Sequence, residues 1–298
     1  MASSSRTVRP PAVAGMFYPS DKDELFESIH RSFTHPLGPG RFPHGAAESG
    51  TKMVECLIVP HAGYAYSGPV AAHSYFIAQS FFASNVGRKV VVFILGPNHY
   101  GLGSGVAVSG SNSWITPLGS VHVNTDLATA IIRASSILDI DDTAHAKEHS
   151  IEVQLPFLQI VSSMREDWSF VPICMMLQDN ETSKQVAESV FKVINTCTDE
   201  SSVLVIGSSD LTHYEPHIQA MAKDLELLES VSEMDPLSFY NVLERLNVSS
   251  CGYGAIAATI YVSKMLGRKK GTILKYATSG DITGDRSSVV GYPSVHFD

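Results

Sequence analysis

The sequence predicts an α/β fold: one domain with a mostly parallel central sheet and helices on both faces. Two observations carry the fold class. Short, near-continuous apolar runs rich in Val and Ile recur along the chain, and segments with helical apolar spacing lie between them. The organisation rests on a third. No repeat and no linker of Ser, Gly or charge divides the 298 residues. The expectation is therefore a single domain over 1–298, with 1–8 flexible. Hydrophobic residues make up 44% and charged residues 17%, enough apolar material for a core and too little charge for a disordered chain.

The predicted strands are Val54–Val59, Val90–Leu95, Phe170–Met175, Val203–Ile206, Ile273–Ala277 and Val289–Val295. The predicted helices are Asp21–Phe33, Pro69–Ala83, Leu127–Ala134, Glu148–Ser163, Ser183–Asn195, Ile218–Val231, Pro236–Leu246 and Ala255–Leu266. A Pro/Gly-rich stretch, His35–Lys52, connects the first helix to the first strand. None of the apolar runs is long enough to cross a bilayer, so no membrane insertion is expected. The first residues have no apolar core and do not read as a secretory signal.

Lys and Arg total 21 against 30 Asp and Glu, a net charge of −9. An acidic chain without a basic run makes a poor partner for nucleic acid or anionic lipid. The four cysteines, Cys56, Cys174, Cys197 and Cys251, lie far apart with no CxxC pair. Such sparse thiols suit a reducing compartment, which places the chain in the cytoplasm, with the nucleus as a second location. Histidine is the unusual residue: there are 12, several beside Gly, Pro, Asp or Glu.

In open α/β sheets, ligands bind outside the carboxyl ends of the strands. Three predicted strands run there into histidines: Pro60-His61-Ala62-Gly63, Pro97-Asn98-His99-Tyr100 and Ser209-Asp210-Leu211-Thr212-His213. One such histidine is usually a satisfied structural residue. Three at equivalent positions point to a shared site. Cys251 precedes a predicted helix, where the positive dipole end favours the thiolate that binds metal; the bland alternative is a small buried hydrophobe. Cys56, Cys174 and Cys197 take the bland reading. His145 and His149 stand at i, i+4, but the order is not HExxH, and Glu148 and Glu152 there also suit a helix start. Tyr64, Tyr66, Tyr100, Tyr214 and Tyr253 follow the candidate ligands and either line a pocket or pack in the core. Ser209 with His213 makes a weak case for a serine hydrolase, since neighbours on one loop do not build a triad unaided. No Walker loop or GxSxG elbow is present, and Gly101, Gly103 and Gly105 lack the strand–helix context of a dinucleotide fingerprint.

Six motifs in order, RPPAVAGMFYP from Arg9, PHAGYAYSG, GPNHYG, EHSIEVQLPFL, SSDLTHY and CGYGAI, make the chain resemble the Memo family from Arg9 to the C-terminal strand. The AGMFYP form is more similar to archaeal and bacterial members than to animal ones. The resemblance implies the fold of class III extradiol dioxygenases. It implies metal ligands His61, His99 and Cys251, the Cys standing where those enzymes place a Glu. It also implies an acid/base role for His213, with Asp210 and His149 near the same pocket. Family activities of this kind include redox chemistry with iron or copper, and phosphotyrosine-peptide binding in signalling by animal members. Thiolate in place of carboxylate softens the site and makes extradiol ring cleavage doubtful.

Two functions therefore compete. One is an iron- or copper-binding redox protein using His61, His99 and Cys251 as ligands and His213 with Asp210 in catalysis. Its pocket would include Tyr64, Tyr66, Glu148, His149 and Tyr253, and would take a small molecule or peptide. The other is a non-catalytic module that holds a peptide or phosphopeptide in the same crevice, with Arg133 and Arg165 as the nearest uncommitted cations.

Overall fold

The computed structural model describes residues 7–43, 53–163, 165, 167–197 and 201–298. Residues 1–6 of the segment expected to be flexible, and residues 44–52 of the Pro/Gly-rich connection, lie outside that range. Val8 is already held, because β1 (Val8–Arg9) pairs with a later strand at Ser113 and Trp114.

The first half continues with α1 (Lys22–Thr34), β2 (Val54–Val59), α2 (Tyr64–Ser84) and β3 (Lys89–Pro97). Short strands follow: β4 (Val106–Val108), β5 (Ser113–Thr116) and β6 (Gly119–His122). Then come α3 (Thr125–Ala134), β7 (Asp139–Ile140), α4 (Gln154–Val161), β8 (Trp168–Met175) and α5 (Asn180–Cys197). The last part holds β9 (Ser201–Ser208), β10 (His213–Glu215), α6 (His217–Ser232), α7 (Pro236–Arg245) and α8 (Tyr253–Met265). It closes with β11 (Gly271–Thr278), α9 (Ser279–Thr283) and β12 (Val289–Phe297).

Among the described residues, nine strands form one sheet in the order β10-β12-β2-β9-β3-β8-β4-β7, with β11 on the other side of β12. The four central strands, β2, β9, β3 and β8, are parallel. The flanks are not: β12 is antiparallel to β2, β10 and β11, and β4 is antiparallel to β8. The expected mostly parallel sheet thus describes the centre, and the whole sheet is mixed. A smaller sheet, β1-β5-β6, sits apart.

Strict alternation on β3 shows why both faces need helices. Val91, Phe93 and Leu95 join a core with α3, α5, α7 and α8, whereas Val90, Val92 and Ile94 join a second with α1, α2 and α4. Each such side chain, removed fully from water, contributes about 1.5–3 kcal/mol. No helix among the described residues is long and apolar enough to cross a membrane.

Two helix starts differ from expectation by five residues or more. Helix α2 begins at Tyr64, not Pro69, because Pro69 lies near the start and forfeits only one backbone bond. Helix α4 begins at Gln154, not Glu148. Residues 145–153 form successive turns, since the Glu148 carboxylate accepts hydrogen bonds from the His149 and Ser150 N–H groups and holds them out of a helix. His145 and His149 therefore share no helical face.

Candidate metal centre

Strands β2, β9 and β3 are adjacent and parallel, so the segments leaving their carboxyl ends emerge side by side. These carry His61, Asp210 and His99. Cys251 reaches them because α8 packs hard against β9. A side chain on Gly252 would come within 2.4 Å of the Ser208 carbonyl oxygen, so glycine permits the approach. His213 opens β10 where the register with β12 shifts, and Tyr214 next to it has a left-handed backbone (φ 61°).

Together these residues line a cavity of about 440 Å³, with Phe17, Ala62, Gly63, His149, Tyr214, Ser249 and Val290 completing the wall. The Cys251 Sγ lies 3.0 Å from His61 Nε2. His61 crosses the rings of His99 and His149 edge-on at centroid distances of 5.2 and 5.4 Å. His99 and His149 stack on each other at 4.4 Å, and Phe17 covers His149 at 4.3 Å. Among the described residues, two groups have ligand atoms mutually within 4.8 Å: His61 with His99 and His149, and His61 with Asp210 and Cys251. His61 belongs to both, whereas His99 and Cys251 fall in different groups.

Buried Glu148 organises one side. Its Oε2 accepts from the His99 N–H at 2.7 Å, and its Oε1 stands 2.9 Å from His99 Nδ1 and 3.4 Å from His149 Nδ1. Burial works to raise this carboxyl, but the hydrogen bond from His99, the charges of both histidines and the Ser150 N–H outweigh it and bring it down to about 2. Burial pushes His149 down to about 4 and His61 well below the ordinary imidazole value, with the neighbouring histidines adding to the effect on His61. At neutral pH both are uncharged and able to donate a lone pair.

The opposite wall behaves differently. Burial lifts Asp210 to about 7, against the stabilising hydrogen bond from the His61 N–H at 2.9 Å. Burial also pushes the Cys251 thiol well above its ordinary value, with Asp210 adding to it. The expected advantage of a helix N-terminus for thiolate is overridden. A metal would have to displace this proton. His213 Nδ1 faces two carbonyl oxygens, Leu211 at 2.7 Å and Ser249 at 2.9 Å, which only accept, so Nδ1 carries the proton and Nε2 is left as a base. Burial lowers its pKa.

Some expected pocket residues lie elsewhere. Tyr64 is buried against Phe157 and donates to the Val153 carbonyl at 2.6 Å, so it is a core residue. Tyr66 is exposed on α2, and Tyr253 packs edge-on against Tyr240; neither lines the cavity. Glu148 acts from behind the histidines. Ser209 donates to the Asp210 carbonyl and receives the Gly252 N–H, with no bond to His213, so no hydrolytic pair forms. Arg165 is committed to Asp167 and to the carbonyls of Phe82, Asn85 and Arg88. It borders a larger cavity of about 650 Å³ beside β5 and β6, remote from the histidine cluster. Sequence reading missed Phe17, Ser249 and Val290. Phe17 stood within the first motif, but nothing local marked the other two.

A profile of the family described as Memo-like protein matches residues 9–296. The chain belongs to the Memo family. It is 48% identical to a MEMO1 family protein of Methanopyrus kandleri over 290 residues, covering 97% of this chain and 98% of that one. It is 45% identical to one of Methanocaldococcus jannaschii over 289 residues, with coverage of 96% and 98%. Among solved structures it is similar to the uncharacterized protein JW3007 from Escherichia coli K12, with TM-score 0.52 and 12% identity. That likeness covers 83% of this Memo-family chain and all of the other, and concerns the fold.

Proposed function

We propose that this Memo-family chain is a redox protein that binds iron or copper through His61, His99 and Cys251. The observation that carries the reading is a thiol 3.0 Å from an imidazole nitrogen, with two more imidazoles and a buried carboxyl around them. Neutral imidazole and thiolate are donors suited to iron and copper. His61 belongs to both close donor groups, so holding one ion through all three ligands would draw His99 and Cys251 together around it, with His149 and Asp210 as the further donors on either side. The metal would supply a one-electron centre and polarise a bound oxygen atom.

The chain's own residues do the rest. His213, its Nδ1 proton fixed on two carbonyls, presents Nε2 to take a proton from a bound O–H or N–H group. Asp210 holds the His61 backbone and, titrating near 7, passes between acid and base at neutral pH. The cavity admits a small molecule or the side chain of a peptide. A thiolate ligand calls for a reducing compartment, in keeping with the cytoplasm or nucleus. The phosphopeptide alternative draws no support from the cavity wall, which includes neither Lys nor Arg among the described residues.

The test is elemental analysis of protein purified without added metal, wild type beside Cys251→Ser. The reading expects iron or copper near one equivalent in wild type and a large loss in the variant. Equal, sub-equimolar content in both overturns the ligand assignment.

A further inference from the structure

The geometry points to a three-residue positioning chain, Tyr75–Gln154–Ser208, that fixes which nitrogen of His61 is offered to a metal. The inference rests on the metal-site reading for its purpose, but its physical content is a property of the metal-free protein.

Gln154 is buried at the centre of this chain. One end of its side-chain amide lies 3.2 Å from the Pro60 carbonyl oxygen, 3.5 Å from that of Ser150 and 2.8 Å from Ser208 Oγ. Carbonyl oxygens only accept, so this end must be the NH₂ group. The other end, Oε1, then accepts from the Tyr75 hydroxyl, which is also fully buried. Tyr75 thus locks the amide against flipping.

Ser208 is the next link, and it too is fully buried. Its Oγ receives an N–H from Gln154. Its single proton goes to the Ser150 carbonyl at 2.7 Å, the shortest of its contacts and one that accepts only. No proton remains for His61, whose Nδ1 lies 2.9 Å from the same Oγ. The contact is therefore Nδ1–H donating to Ser208, and Nε2 carries the lone pair. That lone pair faces Cys251 Sγ at 3.0 Å. Ring orientation and tautomer are set together, by residues that line no part of the cavity.

A merely structural role for these residues predicts a loss of stability and nothing at the ring. The positioning role predicts a specific change in His61. The experiment is nitrogen-15 NMR of the histidine rings in metal-free full-length protein, paired with Co²⁺ titration followed by its absorption. Wild type should show His61 with Nδ1 protonated and Nε2 bare. In Ser208→Ala the Nδ1–H loses its side-chain acceptor, so the Nε2–H form should grow and Co²⁺ affinity should fall roughly 10- to 100-fold. Tyr75→Phe removes one hydroxyl and frees the amide to turn, and should give the same shifts at smaller size. Ser208→Thr keeps the hydroxyl and should restore the wild-type spectrum.

An unchanged His61 tautomer in Ser208→Ala, with Co²⁺ affinity within about twofold of wild type, overturns the chain. Should Ser208→Ala not fold, Tyr75→Phe decides by the same spectra. If wild type shows the Nδ1–H form but takes up no Co²⁺, the metal reading fails and the hydrogen-bond chain stands.

Discussion

His145 and His149 stand four residues apart and meet opposite fates. His145 is completely buried, edge-on to Trp114 at 5.5 Å, and among the described residues neither of its ring nitrogens has a hydrogen-bonding partner. Its backbone carbonyl accepts from Arg9 Nε at 2.7 Å, while the Arg9 guanidinium lies 4.0 Å over the same Trp114 ring. His149 turns the other way, into the cavity, with Nδ1 near Glu148 and its face on Phe17 and His99. A buried histidine becomes a candidate ligand when an acceptor orients one nitrogen and open space faces the other. Burial alone makes it packing.

That contrast can be broken at several points. The largest effect is expected at Arg9, which belongs to the packing side. It pairs with Glu152 at 2.6 Å, and Glu152 also receives the N–H groups of Ala12 and Val13 and the Tyr18 hydroxyl. Arg9→Met strands a buried carboxylate and should cost about 3–5 kcal/mol in urea unfolding. A loss below about 1 kcal/mol would show that the pair is not holding the N-terminal segment.

Glu148→Gln acts on the cavity side. It removes the charge that steadies His99 and His149, and should weaken metal binding by roughly 10- to 100-fold in a competitive chelator titration. Unchanged affinity would mean that the histidines orient themselves without it.

Tyr64→Phe tests a residue moved from pocket to core. Loss of its bond to Val153 should lower stability by about 0.5–1.5 kcal/mol and leave metal affinity untouched. A clear drop in affinity would return Tyr64 to the site.

The smallest effect at neutral pH is expected from His145→Leu, and it grows with acid. Burial and the charge of Arg9 hold His145 down at about 4, below its ordinary 6.5. The unfolded chain therefore takes up a proton first, and the folded protein loses stability as pH falls from 6.5 towards 4. The variant should lack this part of the pH dependence, read from thermal unfolding across that window. Parallel curves for the two proteins would contradict it.

Much of the frame was legible in the sequence because burial on both faces leaves a plain signature. The runs at Val54–Val59 and Val90–Leu95 had no other physical use, and strands formed there. The short strands β4–β7 and β10 were not legible, since two to four residues carry no period. Their pairing depends on neighbours remote in sequence. At the site, Gly and Pro beside His61 and His99 marked sharp exits from strands, and the structure places both at the cavity. Among the tyrosines that sat beside ligand candidates in sequence, Tyr214 reaches the cavity wall, while strand exit and helix phase sent Tyr64 inward and Tyr66 outward. On spacing alone Glu148 read as a helix-start acid, because its real partner, His99, is 49 residues away; the family resemblance was what put it in the pocket.

In the proposed function, His61 and Cys251 hold a metal between them. Anomalous difference maps from wild-type crystals, recorded at the iron and copper absorption edges, test it most directly. One peak is expected within about 2.0–2.3 Å of both His61 Nε2 and Cys251 Sγ, a bonding distance for such ligands, with no peak there in Cys251→Ser. A peak that survives unchanged in the variant, or one lying away from His61 altogether, would contradict it.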